Sequence, residues 1–461
     1  MAGALLCVWL LSGWGGAVES LTFEQAAQRV EQRNEAIKAA EEQVRERGAK
    51  REAARGLRYP QVELEVRRYL LDDPVNVGVD SLPIELEVQS YSFWHAPLTM
   101  QWPLYTGGRI AAANAAAEAH QEEAKAGVHR TEHELLTTLA ERYYGMCLAQ
   151  QARGVQALKT AVMKRHVARA KRLVEEGIIA RIEYLNAKVA LANAERELSE
   201  AERNVAIVAE GLANVVVSEA EDISPVSPLF ILRDMAPCAQ FQAYVDEQHP
   251  VLRTLDAKRA RAQQGVRAKK GEYRPTVFAF GMRELKSEDL TMLDPKWALG
   301  LGMKYKIFSG FSRKHKVDAA EAVERRVGHL RSKYRRDLRS LVLKRYQEML
   351  KARDQFDTLE ATLDLTEENL RVRTRAFEEG VATSVEVIDA TLSHARAQLG
   401  RFKAAYDFDL ALFQLLEASG RSAQWPEYVK RAEPVEAQTY DLESEGPIRL
   451  PEDRSIEVAT E

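Results

Sequence analysis

Six apolar residues, Val342, Met349, Phe356, Leu363, Leu370 and Phe377, recur at every seventh position without interruption. Ala352 and Leu359 fill the second seam position between them. A sustained seven-residue stripe marks a coiled coil, because only a helix held against a partner over many turns needs one. No proline interrupts Ser312–Glu379, nor the comparable stretch Ile110–Glu176. At 1.5 Å per residue, a helix of ~67 residues is ~100 Å long, which no compact globule accommodates.

The long helical pattern occurs twice. EEGIIARIEYLNA at 175–187 returns as EEGVATSVEVIDA at 378–390, an offset of 203. Gly107 in YTGGR and Gly310 in FSGFSR share that offset, whereas Asn34 to Pro60 and His249 to Pro275 match at 215. The difference of twelve residues is an insertion in one loop of the first copy, between Pro60 and Gly107. Each copy reads alike: a helix of ~35 residues (Leu21–Leu57; Gln240–Glu272), two β-like runs, the long helix, then a return helix (Ala180–Val215; Thr383–Leu416). The two shorter helices add up to the length of the long one, so end to end they fit alongside it. Gly177 and Gly380 stand where a reversing helix needs a left-handed residue, which marks each as the tip of a helical hairpin. Ile178 and Val381 lead into the return helices.

The β-like runs alternate. In KWALGLGMKYKIF at 296–308, Trp297, Leu299, Leu301, Met303, Tyr305 and Ile307 share one face, and Ala298, Gly300, Gly302, Lys304 and Lys306 take the other. QVELEV at 61–66 alternates in the same way. An apolar outer face with aromatic ends, opposite a small and polar face, is the pattern of a membrane β-barrel strand. Trp102, Tyr105, Trp297 and Tyr305 are expected at membrane interfaces. Four strands cannot close a barrel and a lipid-exposed sheet edge is not viable, so several chains would have to contribute; three would give twelve strands.

Lys and Arg number 65 against 69 Asp and Glu, which argues against a dedicated nucleic-acid binder. The basic SRKHK at 312–316 and the Arg/Lys-rich 325–345 lack an aromatic stacking pattern and read as helix surface. No run is long enough for a membrane-spanning helix. The apolar stretch Ala2–Leu11 has the length of a signal-peptide core, with Gly15, Gly16 and Ala17 as small residues for cleavage, so 1–17 is expected to be a signal peptide. No Lys or Arg precedes it, which a misassigned start would explain. Cys147 and Cys238 are too few and too far apart to suggest a disulfide, and Cys147 sits in an apolar helical pattern as a small core residue. HRTEH at 129–133 matches the H-x-x-E-H of inverted zinc peptidases, but it lies inside a long coiled-coil helix without a cleft. No enzyme, metal or cofactor is expected.

At this point the chain resembles the TolC-like outer-membrane efflux proteins. LTFEQAAQRVEQRNEAIKAA at 21–40 resembles the family's opening helix, PLYTGGR at 103–109 its strand-to-helix motif, and RLVEEGIIARIEYLNAKVALANAERELSEAERN with its second copy the tip and return helix. The resemblance covers about 22–419. It implies a mainly α fold with a small β part: a homotrimer whose coiled-coil hairpins form a periplasmic α-barrel, with four strands per chain in a twelve-stranded outer-membrane β-barrel. It also implies a periplasmic adaptor (membrane-fusion) protein and an inner-membrane pump of RND or ABC type as partners. The chain would be a passive exit duct for efflux or type I secretion, gated at its periplasmic tip. The family's acidic aperture pair falls on Glu386 and Asp389, with Glu183 and Asn186 at the matched positions of the first tip. Gly177, Ile178, Gly380 and Val381 fall where the family receives its adaptor. The family archetype has a latch Arg where this chain has Ala382, and a Tyr where it has Phe377, which puts the same latch in doubt.

The domain organisation expected is two repeats, 18–215 and 240–419, joined by a proline-containing linker at 216–239 and followed by an acidic tail at 420–461 that is irregular or in part disordered. The competing reading is a soluble periplasmic coiled-coil scaffold, which accounts for the helices and tips but not for the alternating strands.

Overall fold

The structure, a computed structural model, describes residues 18–78, 85–218, 222–286 and 294–435. The expected signal peptide lies outside them, as does the tail beyond Val435.

The chain runs β1 (Val18–Leu21), α1 (Phe23–Arg33), α2 (Glu35–Gly56), β2 (Gln61–Leu64), β3 (Arg67–Leu70), β4 (Val75–Gly78), β5 (Glu85–Gln89), β6 (Ser92–His95), β7 (Pro97–Tyr105), α3 (Arg109–Glu175) and α4 (Arg181–Val216). The second half continues with β8 (Asp222–Pro225), β9 (Phe230–Ile231), α5 (Cys238–Gln248), α6 (Pro250–Gly271), β10 (Thr276–Glu284), β11 (Trp297–Lys304), α7 (Ser312–Glu378), α8 (Ser384–Ser419), α9 (Trp425–Val429) and β12 (Glu433–Pro434). The duplication is literal in length. The helices measure 11, 22, 67 and 36 residues in the first copy and the same in the second.

The opening helices depart from the expectation of one continuous helix each. The opening helix of each copy is broken, at Asn34 and at His249. Both residues leave the helix with extended backbone, ψ 128° and 129°, and both cap the next helix: Asn34 Oδ1 accepts from Ala36 N at 2.9 Å and His249 Nδ1 from Val251 N at 3.2 Å. A capping side chain offers the backbone an alternative to continuing the helix, and Pro250 reinforces the break because the residue before a proline avoids the helical region. Asn34 and His249 are the residues that the repeat alignment pairs.

Helix α3 packs on α2 and α6 along one part of its length and on α4 along another, while α7 packs on α6 and α8. All six residues of the seven-spaced stripe on α7 are buried. The largest core gathers around the middle of the bundle. There Phe23, Tyr144, Phe230, Phe413 and Trp425 pack together, mostly edge-to-face or tilted, with ring centroids 4.9–6.2 Å apart. The linker pairs into this region, β8 with β1 and β9 with β12. Tyr143 fastens it: its hydroxyl donates to Leu21 O at 2.8 Å and accepts from Val226 N and Ser227 N. The start of the tail is therefore not irregular. Trp425 and Tyr428 are buried in the core, and their burial orders the segment.

The two β-hairpins join side by side in the order β11-β10-β7-β2, antiparallel throughout. The twelve-residue insertion is not a loop. It lengthens the first hairpin, because the pairing continues from Leu64 opposite Leu98 to Arg67 opposite His95 and Leu70 opposite Ser92, and β4 then pairs β5 beyond. One face of the sheet is apolar across all four strands except at Arg283 near the end of β10. Leu64 faces Leu98, Val62 faces Met100, Trp102 faces Ala279 and Ala279 faces Leu301. On the opposite face the phenyl rings of Phe278 and Phe280 lie over Gly302 and Gly300, where a Cβ would stand 2.6 and 2.8 Å from a ring atom. The strand glycines thus make room for rings from the neighbouring strand.

Candidate functional site: the paired hairpin tips

The stripe that holds α7 to its partners ends at Phe377, and both long helices then reverse. Gly177 and Gly380 take φ 76° and 74°, the left-handed conformation expected at a helix end. The bonding is equivalent in the two copies: Gly177 N to Val174 O and Ile178 N to Leu173 O in one, Gly380 N to Phe377 O and Val381 N to Ala376 O in the other. The tips touch. A Cβ on Gly380 would stand 3.1 Å from Ile178 Cγ2, so the first tip's isoleucine seats on the second tip's glycine. Val381 is 78% exposed.

A small core of its own, separate from that of the bundle's middle, lies behind the tips. It is built from Ala170, Leu173, Ala187, Phe377, Ala382 and Val387. Phe377 is fully buried against His166, ring centroids 4.6 Å apart, and Ala382 is buried too. The residues at the archetype's latch positions are therefore packing residues in this chain.

Polar contacts tie the tips instead. The carboxylate of Glu183 accepts from the backbone N–H of Ser384 at 2.7 Å, an acid from the first tip at the start of the second tip's return helix. There it satisfies an orphan donor and meets the positive end of the helix dipole. His166 Nε2 lies 2.6 Å from Ser384 Oγ, both residues buried. Burial, and secondarily the charge of Arg169, lowers the His166 pKa to about 4. Arg169 pairs with Glu378 at 2.5 Å across the two hairpins.

The sequence-predicted aperture residues separate under this geometry. Glu386 closes a capping box with Thr383: its Oε2 accepts from Thr383 N at 2.9 Å, and its Oε1 accepts from Arg373 at 3.0 Å. Asp389 is exposed on the same helix, and Asn186 is half-buried. The sequence reading missed the Thr383–Glu386 box, although T-x-x-E directly ahead of an apolar run is a legible helix-start signal. It also missed His166, because a lone histidine in a long helix carries no spacing signal. The other candidates resolve structurally. His129 bonds Glu132 at 2.9 Å while His133 bonds Ser422 at 2.8 Å, so the H-x-x-E-H residues do not converge. The basic 325–345 segment is paired in part, Arg331 with Asp256 and Arg335 with Asp246, each through two hydrogen bonds.

Residues 26–216 and 245–421 match the outer membrane efflux protein family. The chain belongs to that family. The match takes in both repeats, and membership puts the protein in the outer membrane, extending into the periplasm, among transport proteins rather than enzymes. A curated relative is Protein CyaE of Bordetella pertussis, 23% identical over 389 residues, covering 82% of this chain and 79% of the relative. Among solved structures, a membrane protein from Pseudomonas aeruginosa superposes with a TM-score of 0.74 at 14% identity, covering 91% of this chain and 96% of that one. The outer membrane protein VceC from Vibrio cholerae gives 0.70 at 15%, covering 86% and 96%. These likenesses establish the shared TolC-like fold of the efflux family.

Proposed function

We propose that three copies of this chain assemble into a gated channel-tunnel, the outer-membrane exit duct of a tripartite efflux or type I secretion system. The observation that carries this is the four-stranded sheet. It has one continuous apolar face, with Leu299, Leu301 and Met303 each more than 70% exposed. Its edge strands β2 and β11 each pair on one side only among the described residues. An apolar sheet with open edges is unstable in lipid unless it closes, and three such sheets give twelve strands. Three pairs of hairpins would then ring the periplasmic entrance. Trp102, Tyr105 and Tyr305 would stand at the membrane interface nearer the helices and Trp297 at the farther one.

Ile178 and Val381, with Gly177 and Gly380 setting their turns, are the proposed seat for a periplasmic adaptor protein, which would connect the duct to an inner-membrane pump of RND or ABC type. Of the four aperture candidates, Asp389 is the one proposed to face the lumen as a charge. Glu386 and Glu183 are engaged in helix capping, and Asn186 is neutral. The test is fractionation and conductance. A heat-modifiable trimer in the outer-membrane fraction that forms ion-conducting pores in planar bilayers supports the channel. A soluble elongated oligomer without conductance supports the coiled-coil scaffold instead.

A further inference from the structure

We infer that the outward face of the sheet carries a binding belt for lipid phosphate, formed by Arg68 with Trp94 and by Arg283 with Trp297. The inference rests on the reading that this face meets lipid. Arg68 and Trp94 are cross-strand partners on the lengthened first hairpin, with the guanidinium 5.5 Å from the ring centroid and Nη2 donating to Ser92 Oγ at 3.3 Å. Arg283 stands directly opposite Trp297 on β11 and, on its other side, opposite Leu98 on β7. Alternation along each strand puts all four residues on the apolar face that carries Leu64, Leu98, Leu299 and Leu301.

Both arginines lie at the end of the sheet remote from the helices. Arg283 is level with Leu98 and Leu64, and Arg68 is four residues farther out, ~13 Å at ~3.3 Å per residue. The belt therefore belongs to the distal leaflet. The carboxylates of these strands all point the other way. Glu63 and Glu65 alternate onto the opposite face, where Glu65 pairs with Arg67, and Glu284 is buried there with His95 Nδ1 3.0 Å from its carboxylate. Among the described residues of these strands no acid shares the side of Arg68 and Arg283, so both guanidinium groups are placed to take an anion from the lipid.

The chemistry points to phosphate. Guanidinium binds phosphate oxygens in a fork and stacks on indole at the same time, so Trp94 preorganises the Arg68 head at the headgroup level, and Trp297 stands opposite Arg283 on the neighbouring strand. A cation is costly at the bilayer midplane and nearly free at the interface, where its stem lies along apolar surface. The distal leaflet of an outer membrane is built of phosphorylated glycolipid, and that glycolipid is the ligand assigned here. At the helix-proximal end of the same face stand Trp102 and Met303, and strands β2, β7, β10 and β11 carry no arginine there.

The test uses delipidated full-length protein in detergent, titrated with diphosphorylated lipid A and with its dephosphorylated form, with bound lipid counted by native mass spectrometry. The unaltered protein should retain the diphosphorylated lipid about ten-fold better, the value of one lost charge-assisted hydrogen bond. The double variant Arg68→Gln, Arg283→Gln should lose that preference, and Arg68→Lys with Arg283→Lys should keep part of it. Heat-modifiable trimer on gels checks that each variant is folded. Equal retention of the two lipids by the unaltered protein, an undiminished preference in the double Gln variant, or full displacement by millimolar inorganic phosphate would each overturn the belt. Failure of the unaltered protein to fractionate with outer membranes would instead overturn the channel reading, and the belt with it.

Discussion

The Glu183 carboxylate, on the first hairpin, accepts a 2.7 Å hydrogen bond from the backbone N–H of Ser384, which opens the return helix of the second. One tip thus caps the helix of the other, and the two tips of a protomer behave as one body. Glu183→Ala removes the acceptor and leaves the Ser384 donor facing a half-buried gap, at a cost of ~1 kcal/mol. Glu183→Gln keeps an acceptor and should lose a fraction of that. In planar bilayers the Ala variant should show longer open times than the Gln variant, with hydrogen exchange of Ser384 and Val385 amides accelerated several-fold. Unchanged exchange at Ser384 would sink the coupling of the tips.

Acid should loosen the same joint. Burial, and secondarily the charge of Arg169, lowers the His166 pKa from its ordinary 6.5 to about 4 in the folded chain. The unfolded state therefore binds the extra proton between those values, so stability declines as pH falls from 6.5 towards 4 and is independent of this group above 6.5. His249, also lowered to about 4 by burial, adds the same slope at the bundle's middle. Local exchange at the tip separates the two. Protection of Ser384 should drop between pH 6.5 and 4.5 in the unaltered protein, and the drop should flatten in His166→Gln, whose amide still reaches Ser384. An equal drop in the Gln variant would acquit His166.

The aperture acids should differ in kind. Asp389 is exposed, and its charge is available to passing ions. Asp389→Asn should lower cation preference in reversal-potential measurements while leaving thermal stability within ~0.5 kcal/mol, as for most surface substitutions. Glu386 is occupied by Thr383 N and Arg373. Glu386→Gln should chiefly weaken the start of α8, by ~0.5–1 kcal/mol, with a smaller effect on selectivity. A selectivity change carried by Glu386 alone would reverse these assignments.

The long elements were legible because they repeat. A seven-residue stripe and two tip glycines at one offset suffice to place α3, α4 and α7 within a residue, and α8 within three. The breaks at Asn34 and His249 were missed because hydrophobic period continues across them; a single cap and a proline decide them, and both residues were noticed only as markers of the repeat. The insertion read as a loop since its strands β3–β6 are four or five residues each, too short for alternation to stand out. The tip's polar joint was illegible for another reason. Glu183, His166 and Ser384 belong to three helices, and nothing in local sequence brings a histidine to a serine 218 residues away.

The buried carboxyl of Asp409 supplies a last test, at the bundle's middle. It is enclosed by the aromatic core, accepts from Phe230 N at 3.2 Å, and burial raises its pKa well above its ordinary 3.8. The folded state thus holds a proton that the unfolded state releases, so its contribution is present below pH 3.8 and is lost as pH rises through the folded value. Asp409→Asn keeps the acceptor for Phe230 and removes the ionisation. It should match the unaltered protein at pH 4 and exceed it in urea midpoint at pH 8. Asp409→Leu also removes the ionisation but strands the Phe230 N–H, at a cost of ~1–3 kcal/mol. It should therefore fall below the Asn variant at both pH values. If Asn and Leu proved equal, the link between α8 and β9 would contribute nothing; if Asn were the less stable at pH 8, Asp409 would be charged in the folded state.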